Sequence, residues 1–289
     1  MSETHSEMKK ILLFGTGRFG NTLARSLVNL GYFLESVSTM GLIDKKQNIS
    51  FPKISNFDVI IWAARDSGTP TDPENSSILF YDLLTRIKSE SWAGYFIFIS
   101  SAGEVYGNTG GEIANENREP RPYTSYGIKK MEHELLVQKL DSNDKSRTLI
   151  LRVSNMYSFS LNDGGIVGAI LRNLKHGEKF AIYGGQQQRD FIDVKDCVNA
   201  TIKLIESKSE GIFNVASGES MSILELIQQF EDVFSKETIF ELETKFDGVT
   251  TANFSIQKLF EKTSFQPPGI KKRLTSSYKL EELESVDDQ

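Results

Sequence analysis

The stretch Lys9-Lys10-Ile11-Leu12-Leu13-Phe14-Gly15-Thr16-Gly17-Arg18-Phe19-Gly20 decides how the rest of the chain reads. Its first half is a short apolar run bounded by glycine, the pattern of a buried strand. Its second half is G-x-G-x-x-G. Asn21 to Leu30 follows, with Leu23, Leu27 and Leu30 at helical spacing and Gly31 as a stop. In the order strand, glycine loop, helix, glycines let a pyrophosphate approach the backbone at a helix N-terminus. Gly15, Thr16, Gly17, Arg18, Phe19 and Gly20 are therefore candidate cofactor-binding residues.

The next strand is expected over Tyr32 to Ser38. A site for NAD usually carries an acid at this strand end, on the ribose 2′-hydroxyl. Here Ser38 and Thr39 occupy that place and Glu35 comes too early. A missing carboxylate removes repulsion against a 2′-phosphate, and Arg18 can pair with one. The pattern favours NADP(H), with NAD(H) as the alternative. Phe57 to Ala64 is a further strand. It ends in Ala63 and Ala64, small enough for a cofactor to lie over them.

Polar residues with Pro70 and Pro73 predict a loop over Asp66 to Asn75. A helix over Ser76 to Ser89 and a buried strand over Tyr95 to Ile99 follow. Strands and helices alternate through Thr148–Val153, which argues for a parallel sheet with crossover helices. After Asn155 the character changes: a helix over Gly164 to Lys175, a short strand at Phe180, a helix through Ala200 to Ser207 and a strand over Gly211 to Val215. A helix over Ser220 to Phe234 carries Ser222 and Glu225 as a capping box. The fold class is α/β: a Rossmann-like doubly wound parallel sheet over 9–157, with a smaller C-terminal α/β substrate domain over 158–280. Part of 189–208 is expected to return to the first domain. Residues 1–8 and 281–289 read as frayed tails.

The 289 residues are 39% hydrophobic and 25% charged, with a net charge of −6. This is an ordinary globular composition, and without a basic block it argues against nucleic-acid binding. No apolar run reaches membrane-spanning length. The single cysteine, Cys197, excludes an internal disulfide and fits a reducing cytoplasm. His5, His133 and His176 with no Cys/His cluster argue against a metal site.

Tyr126 and Lys130 stand four apart in Tyr123-Thr124-Ser125-Tyr126-Gly127-Ile128-Lys129-Lys130, where a helix is expected to open. On a helix such a pair shares one face, and a nearby ammonium favours the phenolate. Read alone, the pair is weak evidence and reads first as a surface helix start.

Together these pieces resemble the extended short-chain dehydrogenase/reductase superfamily, in its nucleotide-sugar epimerase/dehydratase/reductase branch. The resemblance runs from about Lys9 to about Pro268. It rests on the Gly15–Gly20 loop, Ala63-Ala64, Asn75, Ser100-Ser101 with Val105-Tyr106-Gly107, and the Tyr126/Lys130 pair. It continues through Leu151-Arg152-Val153-Ser154-Asn155, Gly184 with Arg189-Asp190-Phe191, and Asn214 to Gly218 with Ser222 and Glu225. The resemblance implies that Tyr126 is the acid/base and that Lys130 holds the nicotinamide ribose. It also implies that Arg189 and Asn155 bind a substrate pyrophosphate and that the chain dimerises through the helices after Asn75 and around Tyr126. Leu79, Leu83, Leu135 and Leu136 fit that interface or the core.

The chain departs from the branch in three places. Phe14 replaces an extra glycine before Gly15. Ala102 stands where the catalytic hydroxyl belongs, so Ser100 or Ser101 must replace it; a bend brings Ser101 into use as a candidate catalytic and substrate-binding residue. Glu104 occupies a dehydratase glutamate position and reads here as a substrate-loop or surface carboxylate. Ser38 disfavours a bound-NAD epimerase, and the missing hydroxyl disfavours a dehydratase. The resemblance then implies NAD(P)H-dependent reduction of a nucleotide-activated 4-keto-6-deoxyhexose in deoxysugar or surface-polysaccharide synthesis. The alternatives are an NAD-dependent 4-epimerase, a dehydratase, and a non-catalytic binder of NADP(H) or a sugar nucleotide. Specificity is expected to lie between Asn155 and Ile182.

Overall fold

The structure, a computed structural model, describes residues 9–39, 42, 49–64, 75–141, 146–243 and 245–277. The expected tails and most of the loop over Asp66–Asn75 lie outside these residues.

The alternation read from the sequence is present. Strand β1 (Lys10–Phe14) leads to helix α1 (Arg18–Asn29) and β2 (Phe33–Val37), then β3 (Val59–Trp62), α2 (Asn75–Ser89) and β4 (Tyr95–Ser101). Next come α3 (Ala102–Tyr106), α4 (Ser125–Asp141), β5 (Arg147–Val153), β6 (Asn155–Tyr157), α5 (Ile166–His176) and β7 (Phe180–Tyr183). The remaining elements are β8 (Gln188–Asp193), α6 (Val194–Glu206), β9 (Gly211–Val215), β10 (Ser220–Ser222), α7 (Ile223–Phe234), β11 (Phe240–Glu243), α8 (Gln257–Thr263) and α9 (Ile270–Ser277).

One sheet runs in the order β2-β1-β3-β4-β5-β9. The pairings of β1 with β2 and with β3, and of β3 with β4, are parallel. From β1 the chain steps outward to β2 and then returns to the other side at β3. The crevice beyond the ends of β1 and β3 is thus the switch point at which such sheets take ligands. The glycine loop and Ala63-Ala64 follow those two strands.

Contacts divide the chain into two compact units. The first comprises residues 1–100, 128–151 and 208–212. Its core mixes aliphatic side chains with an aromatic group: Phe14, Trp62, Phe80, Phe96 and Phe98 are all 0% exposed. Phe14, in the place of the extra glycine, belongs to this core and packs its ring 5.2 Å from that of Trp62. The second unit comprises residues 101–127, 152–207 and 213–289. It carries a sheet ordered β10-β8-β6 and a parallel β11-β7 pair. Its core packs Tyr157, Phe159 and α5 residues Val167, Ile170, Leu171 and Leu174 against α7 residues Leu226, Ile227 and Phe230. Ser101–Gly127 groups with this unit because its backbone bonds lead there: Thr109 N–H donates to Thr251 O and Ala114 N–H to Asn253 O, both at 2.9 Å. The segment 189–207 lies in the second unit as well.

Candidate active site

In the first unit the glycine loop fits against the end of β3. Gly15 has φ +110°, and a Cβ there would meet Ala63 C and O and Ala64 N at 2.7 Å. A Cβ on Gly20 would sit 1.9 Å from Gly15 O. Only glycine allows both approaches. At Gly17, by contrast, a Cβ would meet nothing within 4 Å. Gly17 is also the N-cap of α1, and no side chain caps that end. An open, side-chain-free helix N-terminus suits a pyrophosphate, so these residues fit a dinucleotide cofactor. Thr16, Gly17 and Arg18 are exposed, Phe19 and Gly20 buried, and Ser38 at the end of β2 is half-buried.

Tyr126 and Lys130 lie one turn apart on α4. Thr124 sets the start of that helix: its Oγ1 accepts a hydrogen bond from Gly127 N–H at 2.9 Å, as an N-cap does. Lys130 is 2% exposed; its Nζ donates to Ile99 O at 3.3 Å and lies 4.9 Å from the Phe98 ring centroid. The neighbouring serines of β4 part ways, as side-chain alternation on a strand requires. Ser100 is buried and donates to Glu134 Oε1 at 2.5 Å. Ser101 ends the strand, and Ala102 opens α3 with no exposed surface.

Ser101 lines a cavity of about 270 Å³ that lies wholly within the second unit. Glu104, Tyr123, Thr124, Asn155, Arg189 and the turn Phe246–Val249 complete most of its wall. Glu104 accepts a hydrogen bond from Thr124 Oγ1. Tyr123 donates its hydroxyl to Asp247 Oδ1 at 2.6 Å. Arg189 spans the wall: Nη1 donates to Gln188 O at 2.8 Å, and Nη2 to Val249 O at 2.7 Å. Burial lowers the Arg189 pKa, and Glu104 raises it again. Asn155 donates from Nδ2 to Asp190 O at 3.0 Å.

Asp190, between these two, is 0% exposed. Its carboxyl accepts four bonds: Ser154 Oγ at 2.7 Å, Ser217 N at 2.9 Å, Ser217 Oγ at 3.1 Å and Gly218 N at 2.8 Å. Burial pushes its pKa up, and these donors pull it back. The bracket fixes β8, and with it the backbone that carries Arg189.

A sequence profile described as the NAD dependent epimerase/dehydratase family matches residues 13–216. The chain belongs to this family. Its architecture is that of the extended short-chain dehydrogenase/reductase branch. It is similar to a GDP-6-deoxy-D-mannose reductase of Pseudomonas aeruginosa, at 29% identity over 54% of each chain. It is also similar to a dTDP-4-dehydro-6-deoxyglucose reductase of Escherichia coli, at 30% identity over 50% of this chain and 46% of the relative. The matches thus span about half the length of these curated relatives. Among solved structures, a UDP-glucose 4-epimerase of Thermotoga maritima with UDP-glucose superposes with a TM-score of 0.79, at 20% identity over 96% of this chain and 100% of that one.

Against this family pattern, the structure brings Ser101, Glu104, Asn155 and Arg189 around one cavity. Tyr126 follows the lining residues Tyr123 and Thr124 without being one of them. Between Asn155 and Ile182, where specificity was expected, only Asn155 reaches the cavity; Val167, Ile170, Leu171 and Leu174 are spent on the core. The wall comes instead from Phe246, Asp247, Gly248, Val249 and Ala252. The Asp247-Gly248 pair marks a turn in the sequence, but nothing in its spacing ties it to Arg189.

Proposed function

We propose that the protein is an NADPH-dependent reductase of a nucleotide-activated 4-keto-6-deoxyhexose. The cavity carries this reading: one wall joins Ser101, the residue before the position where the family carries its catalytic hydroxyl, to Arg189, whose fork suits a diphosphate. The relatives named for reduction of 6-deoxyhexose nucleotides support it. The Gly15–Gly20 loop and Ala63-Ala64 hold the cofactor, with Arg18 and Ser38 suited to the 2′-phosphate of NADP(H). When bound, the nicotinamide supplies a hydride to the sugar carbonyl carbon. Tyr126 gives its hydroxyl proton to the carbonyl oxygen. Lys130 positions the nicotinamide ribose. Ser101 donates a hydrogen bond to the same oxygen in place of the hydroxyl absent at Ala102. Arg189 and Asn155 grip the diphosphate, and Glu104 accepts from sugar hydroxyls.

The protein is also proposed to be a cytoplasmic homodimer. Ile78, Tyr81, Ile128 and Leu135 on α2 and α4 are 39–52% exposed, an apolar set that a partner would cover. Leu79 and Leu83 are core residues instead. Among the described residues no helix is long and apolar enough to cross a membrane.

Incubation with NADPH and dTDP- or GDP-linked 4-keto-6-deoxyhexoses, followed at 340 nm, tests the reaction. Consumption of NADPH is expected with one of them. Failure to oxidise NADPH with any such sugar counts against the reading.

A further inference from the structure

The cavity of the second unit holds more negative charge than a diphosphate site calls for. Among the described residues lining it, the ionisable side chains are Glu104, Asp247, Tyr123 and Arg189. Both carboxylates are fixed by a hydroxyl. Glu104 accepts from Thr124, and Asp247 Oδ1 accepts from Tyr123 at 2.6 Å. Asp247 also raises the Tyr123 pKa, which keeps the phenol a donor. Two of the five N–H donors of Arg189 go to backbone carbonyls, and Glu104 offsets its charge.

We infer that Glu104 and Asp247 are specificity-determining residues that admit an uncharged hexose and reject a hexuronate. The inference rests on the sugar-nucleotide reading above. A carboxylate whose one lone pair is taken by Thr124 or Tyr123 still accepts from sugar hydroxyls, and a neutral hexose offers several. A hexuronate brings a third carboxylate into a space whose one guanidinium is engaged by the diphosphate. Glu104 is half-buried and Asp247 exposed, so the repulsion is strongest at Glu104 and more screened at Asp247; such repulsion discriminates ligands as attraction does.

The test uses the full chain with NADPH present. Calorimetry first asks which of UDP, dTDP, GDP and ADP binds. The hexose and hexuronate of that nucleotide are then compared, for example UDP-glucose with UDP-glucuronate. The hexuronate is expected to bind at least about tenfold more weakly, and Glu104→Gln/Asp247→Asn to bring the two within about threefold. Both replacements keep an acceptor oxygen for Thr124 and Tyr123, and each single variant is measured beside the pair. Equal affinities in the unaltered protein, or a ratio unmoved in the double variant, overturn the inference alone. Absence of binding by all four nucleotides overturns the sugar-nucleotide reading, and the inference falls with it.

Discussion

Replacement of Asp190 separates backbone support from charge at the candidate site. Its carboxyl accepts four buried hydrogen bonds, two from serine hydroxyls and two from the backbone N–H groups of Ser217 and Gly218. In Asp190→Asn, whichever way the amide turns, one of those N–H groups faces an NH₂ and loses its acceptor. The hydroxyls adapt: Ser154 can turn to accept, and Ser217 already reaches Glu219 O at 3.2 Å. One orphaned buried donor costs about 1–3 kcal/mol, so Asn is expected to cost about 2 kcal/mol. Asp190→Ala strips both N–H groups and leaves both hydroxyls to seek partners, for about 4–5 kcal/mol. At about 2–4 °C per kcal/mol these losses lower Tm by about 4–8 °C and 8–20 °C. Thermal unfolding followed by circular dichroism reads both. Equal losses for Asn and Ala, or a loss under about 1 kcal/mol for Ala, would refute the four-bond bracket.

Other outcomes follow from single positions. Gly17→Ala places its Cβ in open space, so Tm should hold while the NADPH dissociation constant rises at least about tenfold by calorimetry; unchanged affinity would show that the loop holds no pyrophosphate there. Ile78→Arg/Leu135→Arg should convert a dimer to a monomer in light scattering. An unaltered protein that is already monomeric refutes that surface. The Glu225 pKa is lowered chiefly by the backbone N–H of Ser222. Its contribution is therefore present above the unfolded value near 4.5 and is lost as pH falls through the folded one. Denaturation between pH 3 and 6 should show a shallower acid-side loss in Glu225→Gln, and an unchanged slope contradicts the capping box.

Much of the first unit was legible because its local signals agree with one another. The apolar run to Phe14, the glycine loop and the small residues Ala63-Ala64 each specify a strand end or a tight approach, and the contacts at Gly15 and Gly20 are those the pattern requires. The capping box was legible for the same reason: Ser222 N donates to Glu225 Oε2 at 2.7 Å, and Glu225 N to Ser222 Oγ at 3.1 Å. The expected helix start at Ser220 was early, because Ser220–Ser222 pairs with β8 as a strand first. Such a strand is too short for a period to show. The choice between Ser100 and Ser101 turned on where β4 ends. Propensity does not fix that point; in the structure β4 runs to Ser101 and Ala102 opens α3. The cavity wall was least legible. Arg189 meets Val249 across sixty residues of chain, and only tertiary packing makes them neighbours.

The most direct test of the proposed reaction follows an isotope. NADPH carrying deuterium at the transferable position is incubated with the accepted 4-keto-6-deoxyhexose nucleotide, and the product is analysed by mass spectrometry and NMR. One deuterium at C4 for each NADPH oxidised, abolished in Tyr126→Phe with cofactor affinity retained, is the result expected of a reductase built on this site. No deuterium gained and no NADPH consumed with any 4-ketosugar nucleotide, beside inversion at C4 of a nucleotide sugar that carries a 4-hydroxyl, would contradict it and mark the protein as an epimerase.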